Sequence, residues 1–204
     1  MDTSTNNPLV SICCITYNHH HYIRQCLNGF LMQKTNFAFE VIINDDCSTD
    51  GTTEILREYA SKNPDIIKPI FQDENQYAKG VRGMFQHFVF PKAQGKYIAI
   101  CEGDDYWTDP LKLQKQVDYL ETHPNFSMCF HRVECLAEKG REKQDLFGYL
   151  TTKDYAAQDS NDFLKKWLVP TCSIVMRGEL LHKIPHNPLF TYGDSVLVAT
   201  CLSN

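Results

Sequence analysis

The chain of 204 residues reads as an α/β fold: a mostly parallel central sheet flanked by helices, followed by a smaller second half. Three observations predict it. Short apolar runs rich in β-branched residues alternate with segments whose apolar positions repeat at helical spacing. Three of those runs pass without a break into clusters of polar and acidic residues. The composition, 43% apolar and 22% charged, suits a packed core that needs no disulfide or metal staple.

The elements follow in order. Residues 9–15 (LVSICCI), 39–44 (FEVIIN), 66–71 (IIKPIF) and 97–101 (YIAIC) have strand length and composition. Between the first two, Ile23, Cys26, Leu27, Phe30 and Leu31 mark one face of a helix. Ile55, Leu56, Tyr59 and Ala60 mark a second helix, with Asp50 as its expected cap. A third follows Pro110, with Leu113, Val117 and Leu120 as its stripe. Beyond His123 the pattern loosens, and 127–136 and 172–176 are expected as strands.

Bulk properties exclude several classes. A formal charge of −5, with one short basic segment at 139–143, leaves no basic face for nucleic acid. Nine cysteines, an odd number and several of them inside apolar runs, read as reduced thiols used as small hydrophobes. No stretch has signal-peptide character or approaches the ~18 apolar residues of a membrane span, so a soluble, cytoplasmic chain is expected. Three adjacent histidines, His19 to His21, point about 100° apart on a helix and do not converge on one ion.

In open parallel sheets the ligand crevice lies beyond the carboxyl ends of the strands. Thr16, Tyr17 and Asn18 end the first strand, residues 44–51 the second, and Glu102, Gly103, Asp104 and Asp105 the fourth. Crowding Asp45, Asp46, Glu102, Asp104 and Asp105 there opposes folding, since carboxylates ~4 Å apart repel by roughly 4 kcal/mol at an effective dielectric near 20. A hard divalent cation, Mg²⁺ or Mn²⁺, offsets that repulsion. If the strand continues extended past residue 101, Glu102 and Asp104 share one side and Asp105 takes the other. Asp50 and Asp109 precede helical patterns and read as caps. An EF-hand over 46–57 fails, because Arg57 stands where a glutamate is required.

VSICCITYN (10–18), VIINDDCSTDGT (41–52) and GKYIAICEGDDYWTDPLKLQKQVDYLE (95–121) resemble the three N-terminal motifs of the family 2 glycosyltransferases, inverting nucleotide-sugar enzymes with the GT-A fold. The set is specific because all three occur in order and spacing. The resemblance implies one domain, 1–204, with a nucleotide-sugar-binding half at 1–106 and an acceptor-side half at 107–204. It implies that Thr16, Tyr17 and Asn18 line the base pocket and that Asp45 and Asp46 hold base and ribose. Glu102, Gly103 and Asp104 stand in place of the DxD motif, with Asp104 as metal ligand. Glu102 departs from the pattern as the first acid, and its contact, metal or ribose, stays open. Lys79 and Arg82 are candidates for the diphosphate or for solvated helix positions, Asp105 for the acceptor or sugar, and Trp107 for stacking on a sugar or for the core.

The resemblance also places the catalytic base in the second half, at Asp194 ahead of an apolar helical pattern, a position an N-cap would share. Thr171 and Ser173 lie in a segment similar to the preceding strand. The implied reaction is a metal-dependent, inverting transfer from a nucleoside-diphosphate sugar, a UDP-sugar foremost, to a hydroxyl of a glycan or lipid-linked acceptor in polysaccharide synthesis. The chain stops about ten residues after Asp194, so a truncated acceptor side or tail is expected, as is peripheral association with the inner face of the membrane. Rival readings are a weakly catalytic nucleotide-sugar-binding module and a sugar-nucleotide nucleotidyltransferase. The latter would carry a glycine-rich basic loop where this chain has TYNHHHYIRQ. A glycoside hydrolase, with two carboxylates and no nucleotide, is a further alternative.

Overall fold

The computed structural model describes residues 7–136, 169–185 and 193–203, with side chains in the last segment from Ser195 onward. Six strands form one sheet in the order β3-β2-β1-β4-β6-β5. These are β1 (Val10–Thr16), β2 (Phe39–Asp45), β3 (Ile67–Phe71), β4 (Tyr97–Glu102), β5 (Met128–Cys129) and β6 (Val175–Arg177). The first four are parallel, whereas β6 runs antiparallel to both β4 and β5. Pro69 lies in β3, an edge strand, where a missing amide costs no ladder bond on the open side.

Both faces of the sheet are covered, which is why β1, β2 and β4 are almost continuously apolar. Alternate residues divide between two cores. Val10, Ile12, Cys14, Val41, Ile43, Ala99 and Cys101 pack against α1 (Ile23–Leu31), α2 (Thr52–Lys62) and α3 (Lys112–Thr122). Cys13, Ile42, Ile98 and Ile100 face a π-helical turn (Phe85–Val89), Ile174, Met176 and the last helix, α4 (Gly193–Leu202). All nine cysteines are free thiols, five of them buried, as small hydrophobes would be.

The structure corrects three local expectations. The expected strand at 127–136 shrinks to Met128–Cys129, whose partner among the described residues is the short β6. The segment 172–176 is split: Thr171–Ser173 forms a 3₁₀ turn, and the strand starts at Val175. There the Ser173 hydroxyl and amide both donate to the Pro170 carbonyl, at 2.6 and 3.0 Å, and this local bond outcompetes the ladder. Gly51, at φ +97°, rather than Asp50, occupies the N-cap of α2. Asp50 still serves the helix start, accepting the Thr52 amide at 3.0 Å.

Candidate active site

Three loops leave the carboxyl ends of β1, β2 and β4 side by side. Register sets Thr16 opposite Asp45 and Ile15 opposite Glu102, so the three polar clusters begin at one level. Thr16 is buried, while Tyr17 is 44% exposed. Asn18 takes a left-handed φ of 54°, which asparagine tolerates. Its amide donates to Ser48 Oγ at 2.9 Å and its Oδ1 accepts the Thr49 amide at 2.8 Å, stitching the first loop to the second.

Asp45 and Asp46 are both buried. Asp45 accepts the Ser48 amide at 3.2 Å together with the hydroxyls of Ser48 and Thr53. Asp46 accepts the backbone amides of Gln76 at 2.8 Å and Tyr77 at 3.1 Å. Both acids thus organise the walls of the crevice: Asp45 shapes its own loop, and Asp46 anchors the segment bearing Tyr77, Lys79 and Arg82. Lys79 pairs with Glu74. Arg82 donates to the carbonyls of Tyr77 and Val81 and stacks 4.1 Å from the Tyr77 ring centroid, leaving that tyrosine 57% exposed beside the loop.

The fourth-strand loop departs from the extended course expected of it. β4 ends at Glu102, and the Asp105 amide donates to the Glu102 carbonyl at 3.1 Å, closing a turn. Strand alternation therefore does not govern where Glu102, Asp104 and Asp105 point. Gly103 makes the turn possible: a Cβ there would lie 2.6 Å from Thr16 Oγ1 and 3.0 Å from His19 Nδ1. Asp104 projects outward, its side chain 52% exposed, with Oδ2 3.8 Å from His19 Nε2. Desolvation and then the neighbouring Asp104 charge raise the Asp105 carboxyl above the ordinary range, against a hydrogen bond with Cys172 that lowers it.

Of the two readings the sequence left open for Trp107, a sugar platform or a core aromatic, the packing matches the core one. Trp107 is 4% exposed, its indole N–H donates to the Cys172 carbonyl at 2.7 Å, and its ring meets Phe30 edge-on at 4.9 Å. Close approach of the Gly29 backbone, where a Cβ would sit 2.9 Å from Trp107 N and O, seals it into the core. Asp194 is the second residue of α4, and its side chain lies outside the described residues. His19 escaped the sequence reading, which treated the three histidines as a unit. The fold separates them: His19 turns to Asp104, whereas the His20 ring packs over Gly51.

Among the described residues no group of three or more His, Cys, Asp or Glu side chains is disposed to hold a metal ion. The carboxylates that could serve a cation at this edge are the exposed Asp104 and the half-buried Glu102 two residues before it. Such a set suits a cation that brings most of its oxygen ligands with a phosphate-bearing substrate.

The model of Glycosyl transferase family 2 matches residues 11–184. An uncharacterised protein of Mycobacterium tuberculosis is 44% identical over 170 residues, which cover 83% of this chain and 47% of that protein. Among solved structures, Staphylococcus aureus TarS in complex with UDP-GlcNAc superposes with a TM-score of 0.68 at 24% identity, over 95% of this chain and 53% of that one. The mannosyltransferase PcManGT of Pyrobaculum calidifontis, in complex with GDP-Man and Mn²⁺, gives a TM-score of 0.65 at 19% identity, over 96% and 52% of the two chains. The chain thus spans about half the length of these proteins and shares the GT-A glycosyltransferase fold. With that family model matching residues 11–184, a span that takes in all three loops of the crevice, the chain belongs to glycosyl transferase family 2.

Proposed function

We propose that this chain carries the donor side, and with Asp194 part of the acceptor side, of an inverting glycosyltransferase. It would move a sugar from a nucleoside-diphosphate sugar, a UDP-sugar foremost, to a hydroxyl of a glycan or lipid-linked acceptor in polysaccharide synthesis. One observation carries the reading: the loops after β1 and β4 meet at Gly103, the loop after β2 is bonded to that of β1 through Asn18, and Asp104 is left exposed beside them. That is the place where a diphosphate and its counter-cation would be met in a parallel sheet. The family membership and the nucleotide-sugar complexes of its structural neighbours support the donor class.

Asp104, with Glu102 as second acid, would hold Mg²⁺ or Mn²⁺. When bound, the cation supplies Lewis-acid stabilisation of the departing diphosphate. The chain's own residues do the rest: Asn18, Ser48 and Asp46 fix the walls that receive the nucleotide, and Lys79 and Arg82 sit on the wall that Asp46 anchors. In the acceptor half Asp194, at the start of α4, would take the acceptor hydroxyl proton as general base. The attack then comes opposite the leaving group, and no covalent sugar–enzyme bond forms. No helix of the described residues is long and apolar enough to cross a membrane. Contact with a lipid-linked acceptor would therefore be peripheral for these residues.

Calorimetric titration with UDP, with and without Mn²⁺, tests the reading. UDP affinity should rise with Mn²⁺ in the native protein and lose that dependence in Asp104→Asn. Asp194→Asn should keep UDP affinity and lose turnover with the protein's own sugar nucleotide, identified by thermal shift across a panel. Metal-independent UDP binding, or full turnover by Asp194→Asn, overturns the corresponding assignment.

A further inference from the structure

Two buried polar atoms flank Gly103, and among the described residues neither has a hydrogen-bond partner: Thr16 Oγ1 and His19 Nδ1. Both lie within 3.0 Å of the point that a Gly103 Cβ would occupy. Buried polar groups in native proteins are nearly always bonded, so a pair of orphans facing one small space calls for an explanation. The third member is on the other side of the same ring: His19 Nε2 stands 3.8 Å from Asp104 Oδ2, within ion-pair range and beyond hydrogen-bond range. A neutral imidazole carries one N–H and one lone pair. With Nε2–H directed at the carboxylate, Nδ1 is left as an acceptor, and the Thr16 hydroxyl is the donor on its side.

We propose that Thr16, His19 and Asp104 form a relay across Gly103 that closes on ligand binding and orients the Asp104 carboxylate toward the cation. The inference rests on the reading of Asp104 given under Proposed function, and it makes His19 a positioning residue. A small shift of the Glu102–Asp105 turn would shorten the His19–Asp104 gap, and Gly103, having no side chain, leaves the space between Thr16 Oγ1 and His19 Nδ1 open. His20 and His21 take no part. The His20 ring is packed over Gly51 and its amide is held by Asp50 at 2.9 Å. The relay has the logic of groups behind metal ligands elsewhere, whose removal weakens metal affinity about 10- to 100-fold.

The test uses the whole chain, UDP, and either Mn²⁺ or Mg²⁺. Mn²⁺-dependent UDP binding by the native protein is measured first, and its absence would sink the Asp104 reading itself before His19 is touched. Given that dependence, His19→Phe should weaken Mn²⁺ affinity in the presence of UDP about tenfold. UDP affinity in EDTA and the unfolding midpoint should stay put, and His19→Asn or His19→Gln should recover part of the loss. In an Asp104→Asn background His19→Phe should cost nothing further. An equal loss in both backgrounds, or equal loss with EDTA and with Mn²⁺, overturns the relay. Should His19→Phe fail to fold, the ring-nitrogen NMR spectrum of native protein with Mg²⁺ and UDP decides: the relay requires the Nε2–H form of His19, and an Nδ1–H form rules it out.

Discussion

The ammonium group of Lys112 lies 3.8 Å from the centroid of the Trp107 ring, in a residue only 4% exposed. Among the described residues Nζ has no hydrogen-bond partner, so the indole face is its principal contact. Burial pushes the amine down to about 8, against smaller raising effects of Cys101, Cys129 and Cys172. The sign of the linkage follows. Below pH 8 the folded and unfolded chains both hold the proton, and the cost of the buried charge is fully present. Between about 8 and 10.5 the unfolded chain keeps a proton that the folded one has released, so stability rises with pH across that window. The full rise is about 3 kcal/mol. Lys112→Met should therefore be more stable than the native chain at pH 7 by about 1 to 3 kcal/mol. Urea unfolding of both proteins from pH 7 to 10 should show that gap narrowing as pH rises. A constant gap refutes the assignment.

Gly103→Ala should damage both stability and ligand binding. The added methyl lies 2.6 Å from Thr16 Oγ1 and 3.0 Å from His19 Nδ1, in a position flanked by buried groups that cannot simply swing into solvent. Overpacking of this kind costs about 1 to 3 kcal/mol. Gly80→Ala is the contrast on stability alone: no atom lies within 4 Å of its Cβ, and only its φ of +93° is strained. Denaturant midpoints and UDP affinity, measured side by side, should show Gly103→Ala losing both. An unchanged UDP affinity would separate Gly103 from the site.

These residues also show how far the sequence was legible. β1, β2 and β4 could be read because strands covered on both faces are apolar throughout, and the polar break at residues 16, 45 and 102 marks where the strands end. The crevice followed from those breaks plus the rule for parallel sheets. The turn at Glu102–Asp105 did not follow, since it depends on the Asp105 amide meeting the Glu102 carbonyl and on Gly103 fitting under Thr16. Trp107 gave an ambiguous signal because an aromatic at a loop start suits a core or a cleft equally; the backbone of Gly29, far away in sequence, decides it. The second half was least readable. β6 is set by pairing with β4, and β5 by pairing with β6, a tertiary constraint that local composition does not encode.

Asp46→Asn should loosen one wall of the crevice. One oxygen that now accepts an amide becomes an NH₂ group facing the N–H of Gln76 or Tyr77. At a site 4% exposed the lost acceptor costs about 1 to 3 kcal/mol. The expected readout is local: faster hydrogen exchange at the amides of Gln76 and Tyr77, with Asn18 and Thr49 unchanged, since their bonds join the loops after β1 and β2 without using the Asp46 carboxylate. Weaker UDP binding should accompany it. Unchanged exchange at Gln76 and Tyr77 would show that Asp46 does not hold this segment.

Glu40 supplies the opposite case, at the amino-terminal end of the same strands. It is 1% exposed and accepts from Ser11 Oγ at 2.6 Å, the Gln94 amide at 3.0 Å and Lys68 Nζ at 2.6 Å. Ser11 Oγ in turn accepts the amides of Gln94 and Gly95, at 3.0 and 2.8 Å, so one carboxylate ties β1, β2, β3 and the approach to β4 together. Glu40→Ala leaves the ammonium of Lys68, half in solvent, with water as an alternative, and leaves the Gln94 amide on Ser11 Oγ, but strands the buried Ser11 hydroxyl proton. Loss of a buried, multiply bonded charge of this kind costs about 3 kcal/mol. The effect should fall on stability alone, because the residue lies at the far end of the sheet from Asp104. Urea unfolding should show the loss, while calorimetry below the transition should return native UDP affinity and native Mn²⁺ dependence. If Glu40→Ala weakened Mn²⁺-dependent binding as Asp104→Asn should, the division of this sheet into a structural end and a ligand end would be wrong.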